Sequence, residues 1–448
     1  MKRSELAFGG ADRNRAWREA LESAAGLPAA PGPVRALFQE EREDLRVVAG
    51  LDGVFDVVHT RLAGLSAVGT DPSRESFVSD PVPDDAAAVV LGLQLPQRGR
   101  GEAREPGPAP ALDPSGAREA VEVLLAQARR AWGGGPLRAG ARWVSFLQSV
   151  RVVGAGIPLC EDERRGARIR LEIRGPMGQS AVVEKALRPG EAVDAERMCS
   201  AAVGRARERE GAVRASPGEV VAVFASGAGG VLLHELIGHA LEADTVESGE
   251  SLLAPAGRRV GPPGLTVLDD PALGRAPWRW DDEGVEARRV CLVEEGRVAG
   301  LVHDRGTAGR AGVEPNGHGR RSSFQQRVRP RIGCTFLAPG RLDPAEVLEG
   351  LSRGIHVRRI ETASVDTGRG LATFRVTDGD SIVNGRVETP LLPFLIEVPT
   401  LAALSMLDRV AADLAFDTCV GSCLRDGQPL ATSVGAPTFR TGLVRVVP

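Results

Sequence analysis

The feature that most constrains this chain is the apolar segment VLLHELIGHALEAD at residues 231–244, which carries two histidines and a glutamate. Four residues separate His234 from His239, one more than in the H-E-x-x-H pattern, in which two histidines of one helix bind zinc. Glu235 directly follows the first histidine, as in that pattern. The segment is therefore either a metal site with altered geometry or an ordinary apolar helix that contains two histidines.

Helix geometry decides what the longer spacing requires. Each residue advances about 100° around an α-helix, so histidines at i and i+4 are roughly 40° apart. His234 and His239 stand at i and i+5, roughly 140° apart on a straight helix, and could not hold one ion there. A shared metal requires a π-bulge or a break that absorbs one residue, and π-bulges are frequent at functional sites. Gly238 precedes the second histidine, where we expect a backbone distortion to cost least.

The carboxylate in this apolar segment favours the metal-site interpretation, because burying Glu235 without a partner would be costly. A glycine-rich turn at 226–230 also leads from a predicted strand directly into the helix. Two histidines are too few for a catalytic zinc, which usually has three protein ligands and a water. The residues alone leave the remaining ligand open among six candidates: Glu242, Asp244, His303, His318, Cys419 and Cys423.

Composition excludes several classes of function. The chain has 448 residues and a net charge of −3, so it has no basic excess for direct nucleic-acid binding and no polybasic block for a membrane surface. No apolar run reaches the length of about 18 residues that a spanning helix needs, and the N-terminus lacks a signal-peptide pattern. The six cysteines are scattered, so we expect reduced thiols and a cytoplasmic location. Tyrosine is absent, so no phenol can stabilise an oxyanion.

Apolar periodicity predicts two regions of different character, and the predicted fold class is α+β. Residues 1–212 are expected to form an α/β domain, with a Pro- and Gly-rich linker or long loop at 95–116. Residues 213–448 are expected to form a β-rich, barrel- or sandwich-like domain that carries the H-E-x3-H helix. The predicted helices are 12–28, 33–49, 117–132, 194–210 and 400–414. The predicted strands are 51–59, 86–94, 142–153, 167–175, 219–225, 264–269, 288–294, 298–303, 331–337, 356–363, 371–377, 381–387 and 393–398.

Several motifs resemble the TldD/PmbA family, and specifically its TldD branch, a family also linked to modulation of DNA gyrase. The resemblance covers the chain from about residue 215 to its end, in family order, whereas the N-terminal half matches only loosely in its order of helices and strands. The motifs are GAGGVLLHELIGHALEAD (227–244), DDEGV (281–285), HDRGTAGRAGVEPNGHGRRSS (303–323), RPRI (329–332), CLRDGQP (423–429) and GAPTFR (435–440).

The resemblance implies a zinc peptidase with one Zn²⁺ per chain. By position, the implied ligands are His234, His239 and Cys423, and Glu235 is the implied general base. Two imidazoles and one thiolate suit zinc and leave a fourth position for water. Glu242, three residues after His239, is a candidate to hydrogen-bond a metal-binding residue and so orient it.

The oxyanion donor and the substrate region remain open in the sequence. Without tyrosine, the candidates to stabilise an oxyanion are His318, Arg320, Arg321 or backbone N–H groups. The chain also departs from the family pattern at five positions, which we expect to cluster where substrate would lie and which therefore indicate a diverged specificity. Leu424 and Arg425 replace the family's usual Gly-Lys after the cysteine, Phe324 stands where tyrosine is common, Cys334 where asparagine is common and Gly306 where an aromatic residue is common.

The resemblance further implies that the chain cleaves unfolded or flexible peptides in an enclosed chamber, paired with a metal-free subunit of the TldE/PmbA type or with a second copy of itself. One alternative is a dedicated maturation or biosynthetic peptidase that acts on a single precursor peptide or peptide-like metabolite. Another is a non-catalytic subunit that binds peptides, although an intact Glu235 and ligand set argue against it.

Overall fold

A computed structural model of the chain describes residues 11–25, 34–53, 55–69, 76–79, 81, 86, 112–154, 156–176, 178–188, 190–274, 276–417 and 421–447. Within these ranges, every helix is too short or too polar to cross a membrane. The structure is rich in strands and mixes them with helices, which confirms the predicted α+β class.

The first region is a six-stranded antiparallel sheet with helices packed against it. Its strands are β1 (Val34–Gly50), β2 (Phe55–Gly69), β3 (Ser76–Ser79), β4 (Arg138–Gly154), β5 (Ile157–Arg174) and β6 (Ser180–Leu187), in the spatial order β3-β2-β1-β4-β5-β6. Its helices are α1 (Ala11–Ala25), α2 (Pro114–Trp132) and α3 (Ala195–Glu208). Asp113 caps α2 by accepting a hydrogen bond from the Ser115 N–H, and Gly133 ends the helix in the left-handed conformation.

The second region contains β7 (Gly218–Phe224) and two mixed sheets. Its other strands are β8 (Val267–Asp269), β9 (Val290–Glu294), β10 (Arg297–Val298), β11 (Gly319–Arg320), β12 (Arg329–Pro330), β13 (Cys334–Leu337), β14 (Arg353–Asp366), β15 (Leu371–Val383), β16 (Arg386–Leu391), β17 (Phe394–Pro399), β18 (Arg409–Val410), β19 (Ala415–Phe416), β20 (Gly421–Arg425), β21 (Gln428–Ala436) and β22 (Phe439–Val447). Its helical segments are α4 (Gly230–Leu233), a π-turn (His234–Gly238), a 3-10 turn (His239–Leu241), α5 (Ala243–Glu247), α6 (Arg305–Ala311), α7 (Pro344–Leu348) and α8 (Thr400–Ser405).

One of these sheets has the order β14-β7-β22-β17-β15-β16, and because β14 also pairs with β15, five of its strands close into a barrel-like ring. The other has the order β10-β9-β8-β13-β21-β19, with β20 added to β21, and β11 pairs with β12. The apolar residues of the histidine segment, including Leu233 and Ile237, pack between these sheets in the largest buried core. The segment is therefore held on both sides by strands.

Most predicted elements of the second region are present. One predicted helix of the first region is wrong, and one of the second region is shorter than predicted. Residues 34–49 of the predicted helix 33–49 instead belong to the central strand β1, which pairs along its length with β2 and β4. Leu45, Val47 and Ala49 alternate toward one buried face, and this tertiary pairing overrides the helix propensity of the Glu- and Arg-rich sequence. The predicted helix 400–414 ends at Ser405, because Arg409–Val410 pairs with β22.

Other predictions are confirmed in part or lie outside the described residues. The predicted strand 298–303 is reduced to the end of β10, and strand 167–175 is the second half of the longer β5. Residues 87–94 of a predicted strand and 95–111 of the predicted linker lie outside the described ranges, and α2 begins at Pro114. The domain boundary after residue 212 stays a prediction.

A buried charged group connects the two regions. Asp282 accepts hydrogen bonds from Arg164 Nη1 on β5 (2.6 Å), from Arg320 Nε (3.2 Å) and from the backbone N–H of Arg321 (2.7 Å). The side chain of Arg321 continues to Ser66 on β2, where its Nη1 donates to Oγ at 3.2 Å. We call Asp282, Arg164, Arg320 and Arg321 the Asp282 cluster.

Candidate metal centre

Glycines before the first histidine let the helix start against the strands. A Cβ atom on Gly229 would lie 2.1 Å from a ring carbon of Phe439, and one on Gly230 would lie 2.7 Å from the backbone nitrogen of Gly435. Gly227, with φ of 83°, makes the turn after β7. The glycine-rich lead-in is therefore required by close packing and by one left-handed residue.

The two histidines meet because the helix contains a π-turn. The N–H of His239 donates to the carbonyl of His234, an i to i+5 bond that absorbs the extra residue. The ring centroids lie 4.8 Å apart, which confirms the predicted distortion. Gly238 keeps ordinary helical dihedrals, and a Cβ there would lie 2.6 Å from Ile332 Cδ1, so this glycine serves packing more than backbone freedom.

Cys423 joins the histidines from the other side of the site. It lies on β20, and its Sγ is 3.1 Å from Nε2 of His239, although 184 residues separate the two in sequence. The ligand atoms of His234, His239 and Cys423 all lie within 4.8 Å of one another. Within the ranges that the structure describes, they form the one group of histidine, cysteine and carboxylate side chains that could hold a metal ion.

The donor set fits a metal such as zinc. Three ligands of a tetrahedral zinc lie roughly 3.3–3.6 Å apart, so the cluster needs to contract by about 1 Å at its widest separation. His234 is buried, and its Nδ1 has no hydrogen-bond partner among the described residues, whereas buried polar atoms are normally paired. A thiolate with two imidazoles is the ligand chemistry that zinc prefers.

The electrostatics favour a positive charge at this point. Burial alone would raise the pKa of the Cys423 thiol, but the imidazoles of His239 and His234 lower it to about 5. Burial opposes a charged His239, yet Glu242 and Cys423 on either side raise its pKa well above the ordinary value. The site therefore stabilises a positive charge on His239, which lies between the Cys423 sulfur and the Glu242 carboxylate, or on a metal ion held by the three ligand atoms.

Glu242 lies behind His239, as its spacing predicted. Its Oε2 is 3.1 Å from His239 Nδ1, the arrangement that orients a metal-binding imidazole. Burial would raise the pKa of Glu242, but His239, Arg425 and Arg331 hold it at about 2. Arg425 also donates to Asp244 Oδ1 at 2.9 Å, so Glu242 and Asp244 are held by arginine and do not lie in the ligand group.

Two residues of the centre were missed by sequence reasoning. Arg331, almost fully buried, donates from Nη2 to the carbonyl of Cys423 at 2.9 Å and to its Sγ at 3.3 Å. Thr362 on β14 donates from Oγ1 to Oε1 of Glu235 at 2.8 Å. Arg331 belongs to the RPRI motif, which resembles the family but does not indicate what this residue contacts. Nothing in the local sequence around Thr362 indicates its contact with Glu235.

Glu235 is oriented toward the metal-binding group. Its second oxygen, Oε2, lies 3.8 Å from His239 Nε2, while Thr362 holds the first. The pairing of β14 with β15 shifts register between Thr362 and Ser364, a bulge of the kind that re-aims side chains next to active sites. The bulge thus lies directly beside the residue that contacts the carboxylate.

A cavity of about 810 Å³ opens over the group and is lined by His234, Glu235, His239 and Cys423. Residues of β14 and of the hairpin of β20 and β21 line it. β14 pairs with β7 only from Ile355 to Val357, and beyond that point no described strand pairs with this edge. The cavity therefore runs along a strand edge that is open within the described ranges.

The structure does not bring the three oxyanion candidates to this cavity. His318 is fully buried, its Nε2 lies 3.1 Å from Asp269 Oδ1, and its Nδ1 lies 3.0 Å from the carbonyl of Asn316. Arg320 and Arg321 belong to the Asp282 cluster. His303, a candidate ligand, instead contacts Thr307 Oγ1 through Nδ1 at 3.1 Å. Cys419, the other distant cysteine, lies outside the described ranges.

Contrary to expectation, the five departures from the family pattern do not all lie around the cavity. Leu424 and Arg425 line it, directly after Cys423. Phe324 and Cys334 are instead buried in the core, and Gly306 lies in α6, away from the cavity lining.

Comparison with known proteins supports one family. Residues 217–447 match the family model described as the PmbA/TldA metallopeptidase C-terminal domain. A metalloprotease of Methanothermobacter thermautotrophicus is 34% identical over 213 residues, 47% of this chain and 46% of that protein. A zinc metalloprotease TldD homolog of Saccharolobus solfataricus is 28% identical over 233 residues, 51% of this chain and 52% of that protein. The chain thus matches about half the length of these curated relatives.

The fold agrees with this over nearly the whole chain. The crystal structure of TldE from Thermococcus kodakarensis superposes with a TM-score of 0.72 at 18% identity, covering 97% of this chain and 100% of that one. At this identity the likeness shows the fold alone. Because the family model covers more than half of its residues, the chain belongs to the PmbA/TldD metallopeptidase family.

Proposed function

We propose that this chain is a zinc-dependent peptidase, with one Zn²⁺ held by His234, His239 and Cys423. The convergence of these three ligand atoms beside Glu235 is the observation that carries the proposal. When bound, zinc supplies Lewis acidity, which polarises a carbonyl and brings the pKa of a coordinated water near neutrality. The name of the Saccharolobus solfataricus relative, a zinc metalloprotease, supports the choice of metal.

Glu235 is the proposed general base. Because Thr362 donates to Oε1, Oε2 is the oxygen free to accept a proton from the attacking water and then deliver it to the leaving amine. His239 is kept in a fixed orientation by Glu242, and Cys423 is fixed by Arg331. The chain thus supplies both a base and a fixed set of metal ligands in the lining of one cavity.

The proposed substrates are unfolded or flexible peptides. The edge of β14 beyond Val357 runs along the cavity wall and is not paired with any described strand, so an extended peptide could add to it as a strand. A folded protein could not present its backbone in this way. Backbone N–H groups, in place of His318, Arg320 and Arg321, are the proposed oxyanion donors.

The proposed partner is a metal-free subunit of the TldE/PmbA type, with a homodimer as the alternative. Similarity in fold to TldE from Thermococcus kodakarensis is the support for a paired architecture. Sizing of the purified chain, alone and co-expressed with a chain of the same fold that lacks the two histidines, distinguishes these assemblies.

A dedicated peptidase for one precursor is a second candidate, favoured by one observation. Leu424 is 69% exposed and lines the cavity where the family usually has glycine. A large apolar side chain at this point would narrow the range of accepted peptides.

The test is hydrolysis by the chain supplied with zinc, alone and with the metal-free subunit. An unstructured peptide and the same sequence within a stably folded protein are the two substrates. We expect the unstructured peptide to be cleaved and the folded protein to resist cleavage. A chelator should abolish the activity, and added zinc should restore it. Cleavage that a chelator leaves unchanged, or the absence of cleavage with the complete assembly and zinc, would contradict the proposal.

A further inference from the structure

The buried guanidinium of Arg331 contacts the cysteine of the metal centre directly. Its Nη2 donates to both the carbonyl (2.9 Å) and the Sγ (3.3 Å) of Cys423, and its Nη1 donates to the carbonyl of Gln428 at 3.2 Å. Cys423 lies on β20 and Gln428 on β21, so a single side chain ties both arms of this hairpin. A planar fork with several donors can make these bonds together, which a lysine ammonium cannot match.

The same short segment also contacts the histidine side of the centre. The N–H of Ile332 donates to Oε1 of Glu242 at 3.3 Å, and Nε of Arg331 lies 3.9 Å from that oxygen. Glu242 in turn holds His239. Residues 331–332 therefore contact one proposed ligand, Cys423, directly and the other, His239, through Glu242, although the two ligands are far apart in sequence.

The charge of Arg331 needs an explanation beyond packing. The side chain is 1% exposed, and a buried guanidinium is costly unless anions compensate it. Its carboxylate contact, Glu242, is at 3.9 Å, whereas the sulfur of Cys423 is at 3.3 Å. The Cys423 sulfur is thus the nearer of these two contacts, so the buried guanidinium is placed on the proposed sulfur ligand rather than on the carboxylate.

We propose that Arg331 is a positioning residue of the metal centre, which sets the place of the Cys423 sulfur and, through an N–H···S hydrogen bond, the electron donation of its thiolate. This inference rests on the proposed function, because it assumes that Cys423 binds the metal. Hydrogen-bonded partners of metal ligands contribute about tenfold to a hundredfold in metal affinity.

Arg425 provides a matched control within the same centre. It also contacts Glu242, and it donates to Asp244 at 2.9 Å and to Thr245 Oγ1 at 3.0 Å, but its hydrogen bonds do not include Cys423. Arg331→Lys and Arg425→Lys are the same substitution with the same charge. They differ in whether a bond to the sulfur is removed.

The test uses Co²⁺ as the probe, because its thiolate-to-metal charge-transfer band reports directly on the sulfur. In Arg331→Lys we expect this band to move to lower energy and the Co²⁺ dissociation constant to rise by about tenfold or more. Arg425→Lys is expected to keep the band position of the parent. Circular dichroism gives the folded fraction of each variant, to which the affinity is referred, and Arg331→Gln provides a second measurement of the same bond.

Unchanged band position and affinity in both Arg331 variants would overturn the inference and leave the proposed function standing. A shift of equal size in Arg425→Lys would also overturn it, since the effect would then be general to the buried charges. Failure of the folded parent to bind Co²⁺ with a thiolate band, judged against Cys423→Ser, would overturn the ligand assignment and this inference together.

Discussion

Two buried charged groups in this molecule look alike by composition but differ in how their atoms are used. In the Asp282 cluster, both carboxylate oxygens of Asp282 accept hydrogen bonds from arginine donors, and the guanidinium of Arg320 also lies 4.3 Å over the ring of Trp278. In the metal centre, the ligand atoms of two histidines and a cysteine lie within 4.8 Å of one another beside a cavity. Buried charge alone therefore does not mark a site, whereas convergence of metal-ligating atoms beside a cavity does.

The two groups also differ in what holds their charges. Burial would raise the pKa of Asp282, but Arg164 and Arg320 lower it, so this carboxylate is compensated within the fold. At the metal centre, Arg425 and Arg331 compensate part of the charge of Glu242, and a positive charge on His239 or a metal ion beside it compensates the rest, together with the charge of Cys423. We expect substitutions in the first group to change stability and substitutions in the second to change chemistry.

The largest expected effect on chemistry follows Glu235→Gln. The amide keeps the size of the side chain but cannot accept the proton, so kcat/KM should fall by about 10²–10⁴-fold. Metal content should remain that of the parent, because Glu235 is not a proposed ligand. Glu247→Gln, on α5 outside the cavity lining, is the control and should retain activity. Full activity in Glu235→Gln would show that Glu235 is not the general base.

The largest expected effect on stability follows Asp282→Ala. The substitution leaves Arg164 and Arg320 buried without their carboxylate, which should lower the free energy of unfolding by about 3–5 kcal/mol in denaturant titrations. Metal bound per folded chain should not change. Glu286→Ala, which removes an exposed pair with Arg279, should cost less than about 1 kcal/mol. Equal costs for the two variants would refute the contrast between them.

A smaller effect is expected for Thr362→Val. Valine keeps the β-branched shape on β14 and removes the hydroxyl that donates to Glu235, a loss of about 1–1.5 kcal/mol. This corresponds to about a tenfold fall in kcat, with KM and metal content unchanged. Ser364→Ala, exposed on the same strand, is the matched control. A change in KM without a change in kcat would assign Thr362 to substrate binding instead.

The smallest effect is expected for Leu424→Gly. Leu424 is largely exposed in the cavity, so a peptide side chain would bury only part of its apolar surface. For peptides with bulky apolar residues, kcat/KM should fall by about threefold, and the range of accepted peptides should widen. Competition between peptides that differ at one residue measures both the relative kcat/KM values and the range of accepted peptides. An unchanged preference would indicate that Leu424 does not contact the substrate.

The local part of the site could be predicted from sequence, and the distant part could not be predicted from spacing alone. The i,i+5 spacing of His234 and His239 required a distortion, and the π-turn provides it. The helix Cβ positions also place Glu242 near His239, since the two are three residues apart. These contacts depend on helix geometry, which the local sequence determines.

Contacts that cross the fold depend on strand pairing, which the local sequence does not determine. Cys423 was selected by family resemblance, because spacing left it equal to Cys419 and His318. Arg331 and Thr362 reach the site across 92 and 127 residues, respectively, so no local pattern could connect them to it. The same cause explains the error at 33–49, where pairing on both sides converts a helix-prone sequence into β1.

The measurement that tests the central claim most directly is metal content per chain of the purified protein, beside His239→Ala and Cys423→Ala. A ligand set split between one helix and a distant hairpin predicts about one zinc in the parent and its loss or strong reduction in both variants. A well-folded parent without metal, even with zinc and a partner subunit supplied, would contradict the account. The i,i+5 histidine pair would then be structural, and a role in binding peptides without cleaving them would replace the proposed hydrolysis.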